Sequence, residues 1–293
     1  MLIQVIDVTL RDGGNLTNFH FLMDHLDRIL TLLDSSGIEY IEIGYRNGAI
    51  RPDASCGEAG LCAQKYLEFC QARIQHANIA VMAHASNIGE ADVIELKKYG
   101  VSLLRVCVQH GRLAEAFPVI CMAKQHGLQV SINVIHASYY TIEALDALVA
   151  TLLPYQPDMI YFADSNGSLL PRQITEIYQR MLAQYAITFG FHAHDNLGLA
   201  QANTLAAIDA GVCYVDSSLA GMGKGLGNLR SEFFIAYLQA LKIKKYHLPT
   251  VVEAANFVCQ QYQRVNSVLD YDEFLRGILD LSTADLKRFK ENG

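Results

Sequence analysis

Residues 4–14 have the sequence QVIDVTLRDGG, in which an apolar, strand-like run ends in an arginine, an aspartate and two glycines. Short apolar runs of this kind recur along the chain and alternate with longer segments of helical periodicity. We predict strands at 4–10, 40–44, 79–83, 103–108, 129–135, 159–163, 188–192 and 213–218. We predict helices between and after them, near 20–35, 57–74, 89–99, 112–126, 141–153, 171–185, 197–210 and 230–241.

Eight consecutive strand–helix units indicate parallel strands joined by helical crossovers. Eight such units in a chain of this length are typical of an α/β fold of the TIM (β/α)8 barrel class. A doubly wound open sheet is the alternative that the same pattern allows. We place the barrel, as the catalytic domain, at 1–245 and a short helical C-terminal appendage at 246–293. Within the appendage we predict helices at 251–265, 271–279 and 283–290.

The composition argues against several classes of partner. The 293 residues carry a net charge of −7 and contain no basic block, so neither nucleic acid nor an anionic membrane surface is expected as a partner. No apolar run has the length of a membrane span, and Met1 leads into a strand without a signal peptide. The seven cysteines are scattered and form no C-x-x-C, which favours reduced thiols and a cytoplasmic protein. A homo-oligomer is left open.

Polar residues occupy one face of several predicted strands. Successive side chains of a strand point to opposite faces, and in strands 2, 4, 5 and 7 one face is uniformly apolar. The other face carries Glu42, Arg105, Asn133 and His192. A structural barrel fills its interior mainly with Val, Ile and Leu, so these polar residues predict a functional site there. The alternative is a buried ion pair of Arg105 with Glu42 or Asp7.

The first strand leads to the proposed site. By the same alternation, Asp7, Thr9 and Arg11 are predicted to face the barrel interior, and Asp12 is placed at the strand end. Arg11 beside Asp12 could help to hold a 2-oxo acid and stabilise an enolate, because a guanidinium favours charge that develops in a reaction. A helix cap or a salt bridge is the alternative role for Arg11.

A histidine pair at the end of the seventh strand predicts a metal site. His192 and His194 are two residues apart, so they project to the same side and could share one ion. Two histidines bonded to other groups are the alternative. Asp12 ends strand 1 and Asn228 follows strand 8, and strands 7, 8 and 1 are neighbours in a closed barrel. The four residues form a mixed nitrogen and oxygen set that suits a divalent metal: Mn²⁺, which we favour, or Mg²⁺, Co²⁺ or Zn²⁺.

A glycine-rich loop precedes Asn228. Residues 221–228 have the sequence GMGKGLGN, and its glycines would let backbone N–H groups approach an anionic substrate and let Asn228 turn inward. An ordinary flexible loop is the alternative interpretation. The stretch lacks the P-loop pattern, so a nucleotide phosphate site is not predicted.

Three motifs together resemble a known enzyme family. The stretches DVTLRDG (7–13), FHAHDNLGLA (191–200) and GMGKGLGN (221–228) resemble those of the metal-dependent aldolases, lyases and Claisen-type synthases built on a TIM barrel. The similarity covers about residues 3–240. The resemblance implies that Asp12, His192 and His194 are metal ligands and that Asn228 is the fourth. It also implies that Arg11 stabilises an enolate, and it matches Glu42 and Arg105 to family positions on strands 2 and 4.

The resemblance implies a carbon–carbon lyase acting on small molecules. The expected reaction is cleavage or formation of a 4-hydroxy-2-oxo acid from a pyruvate enolate and an aldehyde. The alternatives are a Claisen-type acyl-CoA lyase or synthase with the same metal site, and an inactive barrel that acts in a complex. The short C-terminal appendage departs from the 4-hydroxy-2-oxovalerate aldolases, which resemble this chain but carry a larger C-terminal domain.

A second departure concerns proton transfer. Asn15 occupies the place where those aldolases have an acid/base histidine, and an amide cannot take a hydroxyl proton. The candidates to replace it are His20, Tyr45, His84 and Tyr139, or a metal-bound water. Residues 45–48, with the sequence YRNG, are a candidate contact for the aldehyde.

Overall fold

The strands close into a barrel. The computed structural model describes residues 3–49, 55–262 and 269–292, and within them eight parallel strands follow one another around the barrel in chain order. The strands are β1 (Gln4–Asp7), β2 (Tyr40–Tyr45), β3 (Asn78–His84), β4 (Val101–Val108), β5 (Gln129–Val134), β6 (Met159–Asp164), β7 (Thr188–Ala193) and β8 (Tyr214–Ser217). Because β8 pairs with β1, the predicted (β/α)8 barrel is confirmed and the open doubly wound sheet is excluded.

Helices surround the strands. They are α1 (Met23–Ser35), α2 (Glu58–Leu61), α3 (Gln64–Arg73), α4 (Glu90–Lys98), α5 (Ala116–Gln125), α6 (Ile142–Leu152), α7 (Pro171–Gln184), α8 (Ala200–Ala210) and α9 (Ser231–Ala240). Local sequence explains their positions: Pro171 opens α7, and the Thr141 side chain caps α6 by accepting from the Ala144 N–H. The buried face of α7 repeats at helical spacing, with Ile174, Ile177, Tyr178 and Met181.

The first strand is shorter than predicted. It ends at Asp7, whose carboxylate accepts hydrogen bonds from the Thr9 N–H (3.0 Å) and the Thr9 hydroxyl (2.9 Å). The Asp12 N–H then donates to the Val8 carbonyl at 2.8 Å. These local bonds turn the chain across the mouth of the barrel, so Arg11 and Asp12 lie on the turn rather than on the strand.

Alternation predicted the inner face correctly in four strands but not in the first. The apolar sets of β2, β4, β5 and β7 all lie in the main core between strands and helices. In β1, however, Ile6 packs with Tyr161 in a separate cluster inside the barrel, together with Val8 just after the strand. The prediction that Asp7 and Thr9 face the interior is therefore wrong. The alternation of side chains along a strand separates its two faces, but it does not determine which face points into the barrel.

The C-terminal helices contact both the side and the mouth of the barrel. They are α10 (Leu248–Tyr262), α11 (Tyr271–Leu279) and α12 (Thr283–Asn292). The predicted helix at 251–265 is present up to residue 262, and 263–265 lie outside the described residues. At the end of α11, Asp280 accepts hydrogen bonds from Ser138, Asn166 and Ser168 at 2.7–2.8 Å, in the loops after β5 and β6. Across the described part of the chain, no helix is long and apolar enough to span a membrane.

Candidate metal centre

Three of the four predicted ligands converge at the mouth of the barrel. Asp12 lies on the turn after β1, His192 is in β7 and His194 follows that strand directly. One potential ligand atom from each residue lies within 4.8 Å of the others, and all three side chains are buried. The two imidazole Nε2 atoms are 3.4 Å apart. Two imidazoles and one carboxylate form a donor set for a divalent metal.

Hydrogen bonds on the far side of each ring orient the histidines. The Nδ1 atom of His192 is 2.9 Å from a carboxylate oxygen of Asp216, and the Nδ1 atom of His194 is 3.2 Å from the Lys224 carbonyl. Both partners are acceptors, so each Nδ1 carries the proton and each Nε2 offers its lone pair. Burial lowers the pKa of His194 to about 3, which keeps that ring neutral near pH 7.

Asn228, on the glycine-rich loop, lies beside this cluster. Its side-chain NH₂ donates to Asp12 Oδ2 at 2.9 Å and to the Met222 carbonyl at 3.3 Å. Its Oδ1 atom is buried and has no hydrogen-bond partner among the described residues. Leaving such an oxygen unpaired costs about 1–3 kcal/mol, so the free oxygen beside Asp12 fits a fourth metal ligand. A Cβ at Gly223 would lie 2.3 Å from the Asn228 amide, which explains a glycine there.

A buried charge network supports the ligands from below. The Arg11 Nε atom donates to Glu42 at 2.6 Å, and another guanidinium nitrogen donates to Asp12 at 2.8 Å. Arg105 binds both carboxylate oxygens of Asp216, at 3.0 and 2.8 Å, and lies 3.1 Å from Glu42. The buried pair of Arg105 with Glu42 is therefore present. A pair with Asp7 is not found among the described ion pairs.

Asp216 is the residue of this network that the sequence analysis missed. It joins Arg105 to His192 and is 2% exposed. The sequence does contain a pattern that predicts it. Polar Asp216 follows apolar Val215 in the eighth strand, as Glu42 follows Ile41 in the second.

A cavity of about 140 Å³ opens above the ligands, and its size suits a small molecule. Its lining comprises Arg11, Asp12, Asn15, Tyr45, Ala49, Met82, His84, Cys107, Asn133, Ile135, His136, Ala163, Ser165, His192, His194 and Lys224. Arg11 and Tyr45 thus lie where predicted, whereas Glu42 and Arg105 lie beneath the cavity floor and contact Arg11 or Asp216. His136, Ser165 and Lys224 are lining residues that the sequence analysis did not single out.

The candidates for proton transfer divide into two groups. Tyr45 and His84 line the cavity, and their rings stack with centroids 5.9 Å apart. Burial and the charge of Arg11 lower the pKa of His84 to about 4, and burial raises the pKa of Tyr45 above its ordinary value. Near neutral pH, His84 is therefore neutral and Tyr45 stays protonated.

The structure does not bring the other two candidates to the cavity. His20 is exposed, and its Nε2 atom lies 3.0 Å from the Ser55 carbonyl. The Tyr139 hydroxyl bonds to Asp285 and to the Ser282 N–H in the C-terminal segment. Arg46, from the stretch proposed to contact the aldehyde, instead pairs with Asp92 and Glu95 on α4.

Comparison with known proteins agrees with this geometry. The sequence model of the HMGL-like family matches residues 2–258. The chain belongs to the HMGL-like family. The oxaloacetate decarboxylase of Mycobacterium tuberculosis is 31% identical over 248 residues, which cover 84% of this chain and 72% of the relative. The 4-hydroxy-2-oxovalerate aldolase of Carboxydothermus hydrogenoformans is 31% identical over 240 residues, or 82% and 71% of the two chains.

Solved structures show the same fold. The N-terminal domain of a Bacteroides vulgatus protein proposed to be an aldolase superposes with a TM-score of 0.87, at 23% identity, over 99% of this chain and 97% of that one. HMGL-like proteins are metal-dependent lyases. The prediction of a metal-dependent carbon–carbon lyase related to the aldolases is therefore confirmed, as is the need of this family for a divalent metal.

Proposed function

We propose that this HMGL-like protein is a divalent-metal-dependent aldolase that cleaves or forms a 4-hydroxy-2-oxo acid, with pyruvate enolate and an aldehyde as the two halves. The observation that carries the proposal is the cluster of Asp12, His192 and His194 at the cavity, with the Arg11 guanidinium 2.8 Å from Asp12. Relatives named 4-hydroxy-2-oxovalerate aldolase support it.

The proposed metal holders are Asp12, His192, His194 and Asn228, and Mn²⁺ is the ion that we favour for this mixed set. When bound, the ion supplies Lewis-acid polarisation of the 2-oxo group. Arg11 supplies a second, fixed positive charge at the same wall of the cavity. Its hydrogen bonds to Glu42 and Asp12 hold the guanidinium in place before substrate arrives, so little reorganisation is needed as enolate charge develops.

His84 is the proposed group that takes the 4-hydroxyl proton. It lines the cavity, and its ring is neutral near pH 7 because burial and the charge of Arg11 lower its pKa to about 4. Asn15 also lines the cavity, but its side chain donates to the Asp12 carbonyl at 2.8 Å and so stabilises the turn that carries the ligand. Tyr45, stacked on His84, remains a donor that can hydrogen-bond the departing aldehyde oxygen.

Replacing Arg11 by lysine should reduce the rate of pyruvate release about 100- to 1000-fold. Lysine is a point charge and cannot bond Glu42 and Asp12 in the planar geometry that the guanidinium provides. The rate is measured with a racemic 4-hydroxy-2-oxo acid and a pyruvate-specific coupling enzyme, with metal content checked in the same sample. Arg172→Lys, at an exposed position on α7, is the matched control. Activity of Arg11→Lys within twofold of the unaltered protein would contradict the proposed role.

Replacing His84 by asparagine should slow aldol cleavage about 100-fold but spare the decarboxylation of oxaloacetate. Both reactions generate pyruvate enolate, yet only aldol cleavage requires a base for a hydroxyl proton. The two rates are measured on one preparation, with exposed His247→Asn as the control. An equal loss of both rates would show that His84 serves the shared enolate half instead.

The function itself is tested by two assays on metal-loaded protein. Exchange of the pyruvate methyl protons in D₂O, followed by NMR, reports enolate formation without any aldehyde. Pyruvate release from a panel of 4-hydroxy-2-oxo acids then reports the complete reaction. Thiol release from acetyl-CoA and a 2-oxo acid would instead favour the Claisen-type alternative. Bound metal without exchange or turnover would favour a barrel that acts in a complex.

A further inference from the structure

Lys224 enters the cavity from a backbone that is fixed at the metal centre. Its N–H donates to Asp12 Oδ2 at 3.2 Å, and its carbonyl lies 3.2 Å from His194 Nδ1. The side chain lines the cavity and is half-buried. No carboxylate of the described residues lies within 4.0 Å of its ammonium group. A half-buried cation without a partner is costly, so its position calls for a negatively charged ligand.

His136 adds a second unsatisfied group on the same wall. It follows β5 in the left-handed conformation (φ 52°), and its ring stacks on Tyr139 with centroids 4.9 Å apart. The backbone N–H donates to the Ser165 hydroxyl at 2.9 Å, which fixes the residue. The ring Nδ1 atom is buried and has no hydrogen-bond partner among the described residues. Burial and then the charge of Lys224 lower the pKa of His136, and both residues line the same cavity.

Lys224 is the lining cation without an ion pair. Arg11 and Arg105 pair with Asp12, Glu42 and Asp216, whereas no carboxylate of the described residues lies within ion-pair distance of the Lys224 ammonium group. A divalent metal would add further positive charge. A 2-oxo acid has one carboxylate, and under the proposed function that carboxylate binds at the metal and Arg11. The remaining cation therefore requires a second negative group on the substrate.

We propose that Lys224 and His136 form a subsite for a second carboxylate, carried by the aldehyde half of the substrate. This inference rests on the proposed function, because it places the 2-oxo acid half at the metal and Arg11. The preferred aldehydes are then small and carboxylate-bearing, and neutral alkyl aldehydes of the same length are poor substrates. Lys224 and His136 act here as specificity-determining residues.

The subsite is tested with two stable probes of equal chain length, 2-oxoglutarate and 2-oxopentanoate. They share the 2-oxo acid end and differ in whether the other end is a carboxylate or a methyl group. Calorimetry on Mn²⁺-loaded protein should show 2-oxoglutarate binding about tenfold more tightly or better, since hydrogen bonds to charged groups are the strong ones. Lys224→Met should abolish this preference without changing the affinity for 2-oxopentanoate or the metal content. Lys224→Arg should restore part of it.

Two further variants sharpen the test. Lys65→Met removes an exposed lysine on α3 and should leave the preference intact. His136→Asn should reduce the preference about threefold or more, and asparagine tolerates the left-handed backbone at this position. An equal weakening of both probes in Lys224→Met would overturn the proposal, because Lys224 would then bind the shared 2-oxo acid end. Absence of any preference in the unaltered protein would also overturn it.

The pyruvate exchange assay keeps the two proposals distinguishable. Exchange without a preference for 2-oxoglutarate would leave the aldolase function standing and reject the subsite. A preference without exchange would support the anion subsite and reject the enolate chemistry. If neither probe binds and no exchange occurs, both proposals are wrong.

Discussion

Asp12→Ala is expected to leave the barrel folded while abolishing retention of a divalent metal, and to lower activity at least about 1000-fold. The carboxylate is the only acidic member of the ligand cluster in the described chain, and it also anchors the Asn228 amide and the Lys224 N–H. The fold should survive because Arg11 keeps Glu42 as a partner and because Asp12 lies on a turn above the packed strands.

The measurement is metal content per chain together with pyruvate release and circular dichroism. His192→Ala should lose the metal in the same way, whereas Asp209→Ala, at an exposed position on α8, should retain it. Full metal occupancy together with full activity in Asp12→Ala would refute the assignment of the site. Loss of metal with an altered circular dichroism spectrum would show that Asp12 is needed for folding, and His192→Ala would then decide the site.

Asp216→Ala is expected to lower the free energy of unfolding by about 3–5 kcal/mol, the usual effect of removing one partner from a buried ion pair. Arg105 is completely buried and would keep only Glu42. Metal affinity should fall about 10- to 100-fold as well, because His192 would lose the acceptor that orients its ring.

Urea unfolding and a metal titration measure the two effects separately. Glu253→Ala breaks an exposed ion pair with Arg28 and should cost at most about 1 kcal/mol, which makes it the matched control. If Asp216→Ala were as stable as Glu253→Ala, the network would contribute little to stability. If its metal affinity were also unchanged, Asp216 would have no part in the site.

The sequence predicted those features that depend on strand order and alternation. Parallel strands ending at one face bring residues near the ends of β7, β1 and β8 together, which predicted that Asp12, His192, His194 and Asn228 lie close to one another. Alternation could not choose the inner face of β1, because Asp7 and Thr9 satisfy each other locally and leave the interior to Ile6. The choice between two faces depends on packing with the rest of the barrel.

The cavity walls were harder to predict because loop conformations decide them. His84 and His20 were equal candidates in the sequence, yet the turns after β1 carry His20 to the surface while the end of β3 carries His84 to the cavity. His136 lines the cavity because its backbone is in the left-handed conformation, which the sequence pattern did not predict. Lys224 was visible in the glycine-rich loop, but its position was decided by backbone bonds to Asp12 and His194.

The contacts of Asp280 have a consequence for the order of folding. Ser138, Asn166 and Ser168 meet its carboxylate from positions 112 to 142 residues earlier in the chain. During synthesis, these side chains in the loops after β5 and β6 cannot bond Asp280 until the last helices have been made. Because contacts of such long sequence separation form late, the wall that carries His136 and Ser165 is completed after the strands of the barrel have been made.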